Sequence, residues 1–142
     1  MRQKTLVLIF CGLISSAHAA CQITQVPNIQ FSCPPTSAGS CAATNTLSLI
    51  CAGEAITGSL STGSSNSYSP RTLRTVANTT LNYNVYLDAN QQQIFGNGSQ
   101  ATSTLNAVCS GTCNYVLYSY TLGGSGVQAG NYTDNLILTI NY

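Results

Sequence analysis

Apolar and polar residues alternate along most of this chain, and a period of two predicts β-strands rather than helices. The clearest stretch is Leu81-Asn82-Tyr83-Asn84-Val85-Tyr86-Leu87-Asp88, which puts Leu81, Tyr83, Val85 and Leu87 on an inward face. The same pattern predicts strands near Ile23 to Phe31, Thr46 to Cys51, Ile56 to Leu60, Thr72 to Val76, Leu81 to Leu87, Thr104 to Val108, Tyr115 to Leu122 and Tyr132 to Tyr142. In the seventh of these Val116, Tyr118, Tyr120 and Leu122 form one face, read as inward. Between the strands lie turn-forming stretches rich in Gly, Ser, Thr and Asn, at Thr62 to Ser69, Gly96 to Ser103 and Gly123 to Gly130. Pro27 makes the first strand an edge strand or breaks it. No i, i+3, i+4 apolar stripe occurs, so the fold class is all-β, an immunoglobulin-like sandwich of two packed sheets.

The final strand runs to the last residue. Leu136, Leu138, Ile140 and Tyr142 share one face and Asn135, Thr139 and Asn141 the other. A core strand ending flush with the chain predicts that another chain supplies the next strand.

At the other end, Arg2 and Lys4 precede an apolar run from Leu6 to Ile14 and a small-residue pattern, Ala17-His18-Ala19. Residues 1–19 therefore read as an export signal, with 20–142 as one domain. The run is shorter than the ~20 apolar residues that span a bilayer, so no membrane span is expected after cleavage. His18 stands where a lipobox has Leu, against a lipid anchor at Cys21.

Export changes the meaning of the cysteines. Of seven in the chain, Cys11 lies in the signal. The remaining Cys21, Cys33, Cys41, Cys51, Cys109 and Cys113 form an even set, a disulfide framework whose connectivity the count alone leaves open. Alternation places Cys51 with Leu47 and Leu49, and Cys21 with Ile23, Ile29 and Phe31, so both thiols point to a core. The expected pairs are Cys21 with Cys51, bridging two strands, and Cys33 with Cys41 and Cys109 with Cys113, each closing a short loop. The rival for Cys109-Ser110-Gly111-Thr112-Cys113 is a metal or redox site, but its spacing is not C-x-x-C and no second pair has ligand spacing.

Charge narrows the function further. Without residues 1–19 the charged side chains are Arg71, Arg74, Glu54, Asp88 and Asp134, and His18 is gone. That inventory excludes a nucleic-acid footprint and a polybasic membrane patch. Catalysis needs a proton shuttle or an activated nucleophile, and with all cysteines paired no histidine, lysine or thiol remains; Glu54, Asp88 and Asp134 could in principle include a glycosidase pair, but the chain is expected not to be an enzyme and to take no cofactor or metal. Asp88 and Asp134 sit at a strand end and near a turn, where carboxylates bond local backbone. Arg71, after Ser69-Pro70, is expected to pair with an acid at the rim, the alternative being recognition of a ligand carboxylate. Tyr83, Tyr118, Tyr120 and Tyr132 are expected in the core, and Tyr68, Tyr86 and Tyr115 exposed.

Several segments, taken in order, resemble the spore coat protein U domain family, shared with subunits of archaic chaperone-usher pili. They are Cys21 with Phe31 ten residues on, Cys51 ending a strand, and Leu60-Ser61-Thr62-Gly63-Ser64 leading to Tyr68-Ser69-Pro70-Arg71. Leu81 to Asp88, Ile94-Phe95-Gly96-Asn97-Gly98 and Ala129-Gly130-Asn131-Tyr132-Thr133-Asp134 complete the set. The resemblance implies a sandwich lacking its last strand, with a hydrophobic groove filled first by a periplasmic chaperone and later by a neighbouring subunit at an outer-membrane usher. Affinity in such strand addition comes from main-chain hydrogen bonds and register from alternate side chains. By analogy Leu136, Leu138, Ile140 and Tyr142 are the interface.

Two departures qualify the likeness. A shaft subunit carries an N-terminal extension before the cysteine matching Cys21, and cleavage here leaves only Ala20, so the chain is expected to accept a strand and either to sit at a tip or to act outside a polymer. The Cys33 and Cys41 pair is additional to the family pattern. The loops it and Cys109 to Cys113 close offer Pro34, Pro35, Ser110, Gly111 and Thr112 as candidate adhesive positions toward an abiotic or host surface. The function implied is an exported subunit of a chaperone-usher pilus supporting adhesion and biofilm formation, passing through the periplasm to the cell surface. The alternative is a standalone secreted or coat protein whose sandwich completes itself or dimerises.

Overall fold

The computed structural model describes residues 20–31, 41–123, 127–128 and 130–142. The expected signal and the positions Cys33, Pro34 and Pro35 lie outside the described residues.

Among the described residues six antiparallel strands share one hydrogen-bonded sheet: β1 (Cys21–Gln25), β2 (Ala42–Leu60), β3 (Arg71–Arg74), β4 (Thr80–Tyr86), β5 (Leu105–Thr121) and β6 (Leu138–Asn141). The order is β1-β2-β5-β4-β3, with β6 also on β2. β1 and β6 lie on the same edge of β2, β1 against Ser48–Cys51 and β6 against Thr57–Leu60.

The all-β class holds, but strand count and length differ from the sequence reading. Thr46 to Cys51 and Ile56 to Leu60 are parts of one strand, as are Thr104 to Val108 and Tyr115 to Leu122. Glycine explains this. Gly53 (φ 110°) and Gly111 (φ 73°) adopt conformations that L side chains resist, so both strands turn without leaving the ladder. Gly53 is the extra residue of a β-bulge between Ala52 and Glu54. The turn is sharp: Cys109 and Cys113 have Cα atoms 5.9 Å apart, where four steps of straight strand span ~13 Å. Folding the sheet on this bend brings Leu47, Leu49, Ile56 and Cys109 into one buried cluster. A second cluster holds Leu60, Tyr83, Val85, Phe95 and Leu117, and Leu105 and Leu138 touch both.

Cys21 and Cys51 stand directly opposite in the β1–β2 register and are bridged, as alternation predicts; Cys109 and Cys113 are bridged too. Cys41 is disulfide-bonded. Ser110, Gly111 and Thr112 do not form a free loop. They lie within β5, opposite Ala52, Cys51 and Ile50, and their side is exposed.

Other facings need correction. In β5 the buried row is Leu117, Ser119 and Thr121, in step with Cys109, whereas Val116 and Leu122 are exposed and Tyr118 and Tyr120 half-buried on the outer face. The buried cystine sets the parity, and bulky tyrosines can stand outside because their hydroxyls reach water or a carbonyl, as Tyr120 does at Ala89. Ile23 is exposed, since β1 is an edge strand that ends at Gln25, just before Pro27 removes a donor. Tyr68 and Tyr86 are buried rather than exposed, and Tyr115 and Tyr132 are half-buried. The last strand is short, with only Leu138–Asn141 in the ladder, and Tyr142 is exposed.

Candidate functional site

Past Gln25 the chain stays extended but unpaired. Pro27, Ile29 and Phe31 are half-buried and Asn28 and Gln30 exposed, a strand-like alternation. Among the described residues no backbone–backbone hydrogen bond involves residues 26–31. Across from it runs the segment leading to β6, where Tyr132, Asp134 and Leu136 turn inward and Asn131, Thr133 and Asn135 outward. Residues 134–136 likewise lack backbone–backbone hydrogen bonds. Between these two banks opens a cleft of about 1220 Å³ whose floor is Leu73 of β3 and Leu81 and Tyr83 of β4. That exceeds the ~300–1,000 Å³ of ordinary small-molecule pockets.

The second bank is held at defined points. Thr133 and Arg74 exchange both main-chain hydrogen bonds at 2.9 Å. The Asp134 carboxylate accepts from Tyr83 Oη at 2.7 Å, from the Ser64 amide at 2.8 Å and from the Asn135 amide at 2.9 Å. Burial, reinforced by that hydrogen bond, pushes the Tyr83 hydroxyl well above the usual phenol range. Tyr83 also meets the first bank, edge-on to Phe31 with ring centroids 6.2 Å apart. The floor residue thus touches both sides.

Of the interface residues drawn from the sequence, Leu136 lines the cleft. Leu138 and Ile140 are half-buried against the core clusters, with Ile140 opposite Gly58, and Tyr142 lies outside. Ile29 and Phe31 were legible as apolar; Leu73, Leu81, Tyr83 and Asp134 were not singled out for this role, because a floor shared by two strands has no local sequence signal.

Among the described residues, Arg71, Asp88 and Glu54 are occupied internally. Arg71 is fully buried, neither at the rim nor open to a ligand: Nε donates to Ser61 O at 3.0 Å, Nη1 to Asn84 Oδ1 at 2.7 Å and Nη2 to Phe95 O at 2.6 Å. Its guanidinium lies 5.0 Å from the Tyr68 ring centroid. Burial lowers its affinity for its proton, against the opposing pull of nearby Tyr83, Tyr68 and Asp134. Asp88 accepts from the Gln92 and Gln93 amides and Glu54 from the Ala52 amide. Cys21, Cys51 and Glu54 cluster as metal-ligand types do, but the two sulfurs are joined to each other. Among the described residues no helix is long and apolar enough to cross a membrane.

These features define a class: a disulfide-stapled antiparallel β-domain with an extended cleft, Leu73 and Leu81 on its floor, between two unpaired lengths of main chain. Residues 10–139 match the Spore Coat Protein U domain, and the chain belongs to that family. No curated protein matches it by sequence. In fold it is similar to a chain of the crystallised CsuC-CsuE chaperone-tip adhesion subunit pre-assembly complex from archaic chaperone-usher Csu pili of Acinetobacter baumannii, with a TM-score of 0.65 at 18% identity. That likeness covers 86% of this chain and 39% of the other. A second likeness is to a chain of a chaperone-tip adhesin complex of CFA/I fimbriae, with a TM-score of 0.53 at 16% identity, covering 84% of this chain and 40% of that one. The chain thus spans about two fifths of the length of these structures.

Proposed function

We propose that this protein is an exported, non-enzymatic subunit of a chaperone-usher pilus, whose cleft receives an extended strand from a periplasmic chaperone and then from a neighbouring subunit at the outer-membrane usher. The observation that carries the proposal is the cleft between residues 27–31 and residues 127–128 and 130–136, with Leu73 and Leu81 on its floor and, among the described residues, backbone unpaired at 27–31 on one side and 134–136 on the other. An inserted strand would bond to that backbone and lower alternate side chains onto Leu73, Leu81 and Leu136. Residues 1–19 serve as the export signal in this reading. The internal engagement of Glu54, Asp88 and Asp134 supports a structural rather than catalytic role.

Within the same reading the subunit is terminal in the fibre and serves adhesion and biofilm formation. Support comes from the tip subunits named in both related complexes and from the exposed, uncharged Ser110, Gly111 and Thr112 at the bend. Pro34 and Pro35 are proposed as adhesive positions on the sequence alone. Changing Ser110 and Thr112 to Asp should reduce surface attachment; unchanged attachment would count against this part.

The test of the main proposal is co-purification with a candidate chaperone, then exchange against synthetic peptides copying the N-terminal segments of partner subunits. A peptide that displaces the chaperone and raises the melting temperature identifies the neighbour. Leu136→Asp should abolish uptake by placing a charge on the bank. A chain that purifies alone as a stable monomer, with the amides of residues 26–31 protected from exchange, refutes the proposal and supports the standalone coat protein.

A further inference from the structure

Two stretches far apart in sequence, Leu60-Ser61-Thr62-Gly63-Ser64 and Tyr132-Thr133-Asp134, meet at one carboxylate. Asp134 takes the Ser64 amide on one oxygen and the Tyr83 hydroxyl on the other, so it ties a short 3-10 turn (Gly63–Ser65), the cleft floor and the second bank together. Gly63 makes room for this, since a β-carbon there would collide with the Asp134 side chain. Gly63 itself does not line the cleft.

We infer that Asp134 is the positioning residue of the strand-accepting cleft, and rest this on the function proposed above. The bank at residues 134–136 has no backbone–backbone hydrogen bonds of its own among the described residues, so its course between Thr133 and Ile137 depends on side-chain anchors. Ile137 is anchored by its amide to Ser61 Oγ at 2.9 Å and by its carbonyl, which accepts from the Ser61 amide. Thr133 is anchored by Arg74. Asp134 supplies the anchor between them and aims it at Tyr83, the floor residue that also meets Phe31 on the far bank. The clamp therefore sets the spacing of the two banks before a strand arrives. Preorganised in this way, the cleft binds without the cost of ordering its own edge. Asp134 also brings the sole carboxylate among the lining residues, so an acidic side chain on the incoming strand is disfavoured at that position.

The test uses the chaperone-bound full chain and a peptide that the unmodified protein takes up. Asp134→Asn, Tyr83→Phe and Gly63→Ala should each slow peptide uptake roughly tenfold or more, and hydrogen exchange should rise at the bonded amides of Thr133, Asn135 and Ile137 while Leu47–Cys51 stays protected. Asp88→Asn, at a carboxylate outside the cleft lining that accepts from the Gln92 and Gln93 amides, should behave as the unmodified protein. Gly63→Ala keeps every cleft-lining side chain, so a slowed uptake there isolates the clamp from the lining. A peptide carrying Asp at the residue seated over Asp134 should bind more weakly to the unmodified chain and regain affinity for Asp134→Asn. Uptake at the unmodified rate in Gly63→Ala and Tyr83→Phe overturns the inference. If the unmodified chain takes up no peptide, the proposed function fails instead.

Discussion

Replacing Arg71 by Met tests whether the buried guanidinium holds the fold or merely fills it. Met keeps an apolar stem of similar reach but removes all three donors, leaving Ser61 O, Asn84 Oδ1 and Phe95 O without them. The orphaned Ser61 O and Phe95 O cost about 1–2 kcal/mol each, Asn84 Oδ1 costs less because it still accepts the Val85 amide at 3.2 Å, and the lost stacking on Tyr68 adds a smaller amount. The acceptors belong to the residue just after β2, to β4 and to the segment before β5, so the loss separates three parts of the chain. A total of about 3–5 kcal/mol is a large share of the ~5–15 kcal/mol that stabilises a typical domain. For a domain of this size that corresponds to a melting point lower by roughly 10–25 °C. Thermal unfolding of both proteins in the same peptide-filled or chaperone-bound state, followed by circular dichroism, measures it. Arg71→Lys should fall between, since one ammonium cannot satisfy three acceptors spread around a planar fork. A loss under about 1 kcal/mol for Arg71→Met would refute the reasoning.

The remaining predictions concern the staples, the last strand and pH. Replacing both Cys21 and Cys51 by Ser should cost about 3–4 kcal/mol, and replacing Cys109 and Cys113 about 2, because the bridges span 30 and 4 residues respectively; denaturant unfolding would rank them. Gly58→Ala should loosen β6, since a β-carbon would press on Ile140 at 3.1 Å and Leu105 at 3.2 Å, with faster hydrogen exchange at Leu138–Asn141 as the readout. Tyr83 holds its proton more tightly folded than unfolded, because of burial first and Asp134 second. Its contribution to stability is therefore complete below the unfolded phenol pKa of about 10 and declines above it. Stability curves above that pH should fall less steeply for Tyr83→Phe, and equal slopes would remove Tyr83 as a cause.

Much of the fold was legible because alternation reports burial wherever one face of a strand is covered. Leu81, Tyr83 and Val85 are buried as the pattern says, and the shared parity of Cys51 with Leu47 and Leu49 correctly aimed the first disulfide. The pattern failed where size and burial part company. In β5 the small Ser119 and Thr121 fill the inner row and tyrosines occupy the outer one, so choosing the more apolar face chose the wrong one. Glycine misled differently. Gly53 and Gly111 fall between predicted strands, yet their positive φ lets one strand bend and continue. Arg71 was illegible because its three acceptors come from segments up to 24 residues away. The cleft was half visible, its banks in Ile29, Phe31 and Leu136, its floor assembled only when β3 pairs with β4.

The bend through Gly53 and Gly111 works like the spine of a book. Both covers are the same two strands, so the covers cannot be pulled off one another without breaking the main-chain ladder that continues around the fold. Any widening is then left to the fore-edge, toward the far end of β5, where β4 joins it at Tyr118–Thr121 and provides part of the cleft floor. A domain bound this way has a built-in direction of opening, and a guest strand would enter where the pages part.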